Sequence, residues 1–216
     1  FIDYLDKSSS ESDVACIVQE LFQIIEGKSS SQNFRAPINH LIDSVIGRNN
    51  FWHNSAESHF DSLMSKLYID WRNFQSFIEN LSIKAHNTAS YNPYGHYKIE
   101  VDRDSNLQEA FKNSAGIDSV VVLSFNEIGL GAKKKIEFTD TFNLNKNNRT
   151  KFLLRAVIAK ISDSDLYYCF VRKEAADWYK IDGLRKATKT NLSEVLKVRP
   201  SMLFYENEDF ANKVLE

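Results

Sequence analysis

Apolar residues recur every three or four positions in the first part of the chain. Val14, Ile17, Val18, Leu21, Ile24 and Ile25 fall at helical spacing behind a Ser12-Asp13 cap, and Gly27 supplies a stop. The polar stretch Lys28 to Asn33 reads as a loop. Pro37, at a first-turn position, opens a second helix through Leu41, Val45 and Ile46, closed by Gly47. A third helix is predicted from Ser55 to about Ile69, with Phe60, Leu63, Met64 and Leu67 on one face, and a shorter fourth from Asn73 to Leu81. The first eighty or so residues therefore read as helix throughout.

Beyond them the period changes from helical to alternating. Tyr97, Ile99 and Val101 alternate with polar residues, as a half-buried strand does. Leu107 to Phe111 predicts a short helix, and Val120 to Phe125 is β-rich and apolar enough for a central strand. Lys135 to Phe142 alternates again after Gly129-Leu130-Gly131, and Asn145 to Thr150 is a polar loop. Residues 151–161, 166–173, 177–181 and 201–205 complete a run of short strands expected to pair antiparallel. Helices first and strands afterwards predict an α+β protein with two subregions, a helical one at 1–84 and a β one at 85–216, together one compact domain.

Charge narrows the function classes. The 216 residues carry 27 basic and 29 acidic side chains, a formal net charge of −2, without the basic excess or stripe that nucleic acid attracts. No apolar run approaches the roughly 20 residues of a membrane span. Cys16 and Cys169 lie in apolar stretches and make no CxxC pair, so a disulfide framework is not expected and an intracellular setting, cytoplasmic or nuclear, fits best. The opening residue is Phe1 rather than Met, which reads as a piece of something longer.

The last sixty or so residues carry the most specific pattern: Val171-Arg172, Trp178-Tyr179-Lys180-Ile181-Asp182, Val195-Leu196 and Met202-Leu203-Phe204-Tyr205. This series resembles the C-terminal end of the ubiquitin-specific proteases, papain-like cysteine peptidases whose chain there runs strand, Gly-His-Tyr, strand, Trp-Tyr-x-x-Asp-Asp, short helix and closing Leu-Phe-Tyr strand. Weaker matches follow in the family's order. Ala15 to Phe22 is similar to the helix after the Cys box, and Phe51 to Leu67 to a later helix whose glutamines and acids are not kept. Ser90 to Val101, Asn106 to Phe111 and Asp118 to Phe125 are similar to successive downstream segments. The resemblance implies a papain-like fold with a helical thumb-like half and an antiparallel palm-like sheet.

What departs from the family bears on chemistry. The family's histidine stands four residues before the Tyr/Phe-Val-Arg run, which in this chain is Leu166, with Tyr167 the next candidate. Leucine has no ionisable group and a free tyrosine titrates at about 10, so neither shuttles a proton near neutrality. Asp182 matches the acid that orients the histidine, but the second aspartate of the family's pair is Gly183 here. The Cys box would precede Phe1, and the zinc-binding CxxC pairs of the family's fingers are absent. His86 alone cannot supply the roughly four ligands zinc needs, so no metal or other cofactor is expected, and the fingers are reduced or absent.

Other residues have plainer explanations. His96, in Gly95-His96-Tyr97, is followed by no Trp-Tyr-x-x-Asp and reads as a surface or loop histidine. Cys16 and Cys169 read as core cysteines. His53 and His59 are six apart and so do not share a helical face. Lys133-Lys134-Lys135 reads as a solvated turn. Among Phe51, Trp52, Trp71, Tyr91, Tyr94, Trp178 and Tyr179, most belong to a core, and a subset on one face would suit a protein-binding hot spot. The expectation is a catalytically inactive ubiquitin-specific-protease-like domain, a protein-interaction or scaffold module whose catalytic positions Leu166, Tyr167 and Asp182 are vestigial. The expected partner is a protein subunit of a larger complex, ahead of ubiquitin or a ubiquitin-like protein, with no nucleic acid and no membrane. Two alternatives stay open. One is an active ubiquitin-directed cysteine peptidase with its nucleophile upstream of Phe1 and a base such as His96 or His86. The other is an unrelated two-lobed protein-binding domain.

Overall fold

Two periodicities in one chain require two kinds of packing, and the chain divides into two compact units, Phe1–Asn80 and Leu81–Glu216. The computed structural model describes Ile17, Glu20 and residues 35–46, 55–70, 97–99, 120–125, 136–143, 151–161, 166–173, 176–182 and 187–208.

In the first unit Ile17 and Glu20 are helical, the former buried and the latter exposed. Helix α1 (Arg35–Leu41) runs into a π-helical turn at Ile42–Ile46. Pro37 is buried in the first turn, where a missing N–H breaks no helical hydrogen bond. The expected second helix is thus present, but its last five residues are wound more loosely than an α-helix. Helix α2 (Ala56–Asp70) begins behind Ser55, whose Oγ accepts from the Ser58 N–H at 3.2 Å while its carbonyl accepts from His59 N–H at 3.1 Å. That serine satisfies an orphan donor of the first turn, and Glu57 lies near the positive end of the helix dipole. The predicted helix at Asn73–Leu81 lies outside the described residues, as do Trp52 and Trp71.

The second unit is built on an eight-stranded sheet. Its strands are β1 (Tyr97–Ile99), β2 (Val120–Phe125), β3 (Thr141–Asn143), β4 (Lys151–Lys160), β5 (Tyr167–Arg172), β6 (Trp178–Ile181), β7 (Thr188–Thr190) and β8 (Pro200–Asn207). The order is β1-β2-β8-β4-β5-β6-β7, with β3 paired to the first residues of β4. Only β1 and β2 run parallel; every other described pair is antiparallel. The protein is therefore a mixed helix and antiparallel-sheet structure.

One face of the sheet holds the core. Val121 and Leu123 of β2, Leu203 and Tyr205 of β8, Phe152, Leu154, Val157 and Ala159 of β4, Phe170 of β5 and Trp178 of β6 are all buried there. Each large side chain so buried contributes roughly 1.5–3 kcal/mol by leaving water. Strict alternation along β4 would turn Val157 and Ala159 away from Phe152 and Leu154. A register shift between Leu154 and Ala156 inserts the extra residue that returns them to the core face. The opposite face carries cross-strand ion pairs: Arg155 Nε to Glu206 Oε2 at 2.6 Å and Lys151 Nζ to Glu208 Oε2 at 3.3 Å. The more exposed of the two, Lys151–Glu208, is worth under about 1 kcal/mol.

Two stretches differ from expectation. Within Lys135–Phe142, Ile136, Glu137 and Phe138 do alternate buried, exposed, buried, but the ladder begins only at Thr141. That segment packs on the core ahead of the ladder; the Leu154 N–H donates to the Asp140 carbonyl at 2.8 Å, and the Tyr205 hydroxyl ties the segment down by donating to the Thr139 carbonyl at 2.7 Å. The second is Thr188–Lys189–Thr190, which forms the edge strand β7 despite having no apolar alternation. Asn191 then caps the one-turn helix α3 (Leu192–Val195), its Oδ1 accepting from the Glu194 N–H at 3.1 Å. Val195 is buried on the core face, with Leu192, Leu196 and Val198 packed beside it.

Candidate functional site

Strands β5 and β6 pair in the register Cys169↔Ile181, Phe170↔Lys180, Val171↔Tyr179 and Arg172↔Trp178. Carried one step further, that register sets Tyr168 opposite Asp182. Even-numbered residues of both strands share the core face, since Phe170 and Trp178 are buried there. At one end of this face the pair is clamped. The Arg172 guanidinium donates to Asp140 Oδ1 at 2.9 Å and to the Leu154 carbonyl at 3.4 Å, and lies 5.8 Å from the centre of the Trp178 ring.

The other end holds the positions singled out in the sequence. Leu166 stands just before β5; its carbonyl accepts from the Ile161 N–H at 2.9 Å, and Tyr167 pairs with Lys160. The backbone is therefore held by β4, while Leu166 as a whole is 60% exposed. Asp182 follows the last residue of β6 and is exposed. Antiparallel pairing thus brings Leu166, Tyr167 and Asp182 to one end of the same strand pair, although 15 or more residues of chain separate Asp182 from the other two.

Two neighbours of Asp182 were not singled out by sequence reasoning. Tyr168 packs edge-on to Phe170, ring centres 5.5 Å apart, and the Lys180 ammonium sits 4.6 Å from the centre of its ring. Burial, and after it the Asp182 carboxylate, push the Tyr168 hydroxyl above its ordinary pKa, because a phenolate there would be poorly hydrated and would meet a second negative charge. The signal that could have found this group is the alternation of Tyr168 and Phe170 against Lys180 and Asp182, but it becomes visible only once the register is known.

The chemistry open to this end follows from these environments. Burial raises the Tyr168 pKa, so the group stays a protonated phenol near neutrality and offers even less phenolate to accept a proton than a free tyrosine does. The Cys169 thiol is pushed up by burial, which suppresses the thiolate that a nucleophile needs. Leu166 offers no proton site. The remaining candidates, His86, His96 and Cys16, lie outside the described residues. Among the described residues no group of three or more His, Cys, Asp or Glu side chains is gathered closely enough to hold a metal ion. No helix among the described residues is long and apolar enough to cross a membrane.

No protein-family model and no curated protein matches this chain. Solved structures do. The SAGA DUB module of Ubp8, Sgf11, Sus1 and Sgf73 bound to monoubiquitin is similar with a TM-score of 0.65 and 14% identity, covering 93% of this chain and 60% of that one. The same module bound to ubiquitin aldehyde gives a TM-score of 0.64 at 14% identity over 95% of this chain and 62% of that one. A yeast SAGA DUB module carrying an Sgf73 mutant gives 0.59 at 12% identity, covering 95% of this chain and 61% of the other. The chain spans about 60% of the length of the structures it matches. At these identities the likeness concerns the fold, which is ubiquitin-specific-protease-like.

Proposed function

We propose that this chain is a catalytically inactive ubiquitin-specific-protease-like domain that serves as a protein-interaction or scaffold module. The observation that carries the reading is Leu166. It stands exposed just before β5, at the end of the strand pair where Asp182 lies, and counting along the sequence by the family's motif puts the histidine at this position. A papain-like hydrolysis needs an imidazole there to take the thiol proton and return it to the leaving amine. With leucine in that place, no imidazole stands beside Asp182 among the described residues, and Tyr168 and Cys169 are both shifted away from the states that would replace the missing groups. In this reading residues 1–84 correspond to the thumb and residues 85–216 to the palm, with the fingers reduced or absent.

The partner fitting this reading is a protein subunit of a larger complex. Support comes from the similar structures, in which the DUB module is an assembly of Ubp8 with Sgf11, Sus1 and Sgf73 and is also seen with ubiquitin. The test uses the full-length natural protein, assayed for hydrolysis of a fluorogenic ubiquitin C-terminal amide and for binding of free ubiquitin. No turnover from folded protein is the expected result. Turnover abolished by replacing a single cysteine would overturn the assignment and establish an active peptidase using another base. Saturable ubiquitin binding without turnover would keep the domain inactive and make ubiquitin its partner.

A further inference from the structure

We draw no further inference here: the strongest candidate, the half-buried apolar face of β5 and β6 formed by Tyr167, Cys169, Val171, Tyr179 and Ile181, carries nothing because the flanking Asp177 and Lys189 pair with each other at 2.8 Å and nothing in the structure shows what covers it.

Discussion

Leu166 is the residue on which the reading turns, and its placement is open to direct measurement. If it stands at the acid's end of the strand pair, an imidazole introduced there by Leu166→His will lie within about 7 Å of Asp182 along the strands. A carboxylate at that range favours the charged imidazolium, so the new histidine should titrate about half a unit to a unit above the ordinary value of about 6.5. Histidine ring resonances followed by NMR against pH would show it, and adding Asp182→Asn should bring the value back down. An unshifted histidine would mean that Leu166 and Asp182 do not face one site, and the argument for a vestigial dyad would fail with it. Ser124 offers a second, independent test. It is fully buried on β2, and its Oγ has no hydrogen-bond partner among the described residues. A buried hydroxyl left unmade costs roughly 1–3 kcal/mol of desolvation. Ser124→Ala should therefore be neutral or raise stability by about 1 kcal/mol in urea unfolding, and a clear loss would reveal a partner for that hydroxyl.

Elements were legible where their periodicity was local. The α2 helix announces itself through Ser55 and the apolar spacing behind it, and β2, β4 and β6 through short β-branched or aromatic runs. The π-helical turn at Ile42–Ile46 was not legible, because a wider winding leaves the apolar spacing of five residues nearly unchanged. Strand β7 was missed because Thr-Lys-Thr forms an edge, where polar side chains suit solvent on both sides. The 136–140 segment misled in the opposite direction: alternating burial was real, but it came from packing on the core. Its anchor is the Tyr205 hydroxyl on the Thr139 carbonyl, so Tyr205→Phe should cost about 1 kcal/mol at pH 7. The pH dependence gives this a second reading. Burial, foremost, holds the Tyr205 hydroxyl well above its ordinary pKa, whereas the unfolded chain ionises near 10. A raised folded pKa contributes stability that is fully present below pH 10 and is lost as the pH climbs beyond it. The stability gap between the wild type and Tyr205→Phe should accordingly narrow above pH 10, and a gap constant to pH 11 would place the hydroxyl in water.

Across the second unit, stability should follow the sheet's connectivity rather than the order of the chain. Strand β4 is ten residues long, pairs with β8 on one edge, and shares the other between β3 and β5. Strand β8 lies between β4 and β2, so the last described strand of the sequence sits in the middle of the sheet. That arrangement could not be read from local pattern, because the pairing of β4 with β8 joins residues such as Leu154 and Tyr205 that are far apart in sequence. Their shared burial is what selects it: Leu154, Val157, Leu203 and Val121 are all fully enclosed on one face. Amides in such strands open only when much of the sheet opens, whereas those of an edge strand need only local fraying. Hydrogen exchange should therefore be slowest in β4 and β8, with β2 close behind, and fastest among the strands of this sheet in β7, whose Thr188 and Lys189 are exposed. The comparison is best made by mass spectrometry on the natural protein, with peptides spanning residues 151–160, 187–191 and 200–207. Protection of β7 equal to that of β4 would overturn this order, because a three-residue edge strand with two exposed residues cannot hold its own amides so long. It would show that the edge is continued by something else, as expected for a module whose sheet is completed within an assembly.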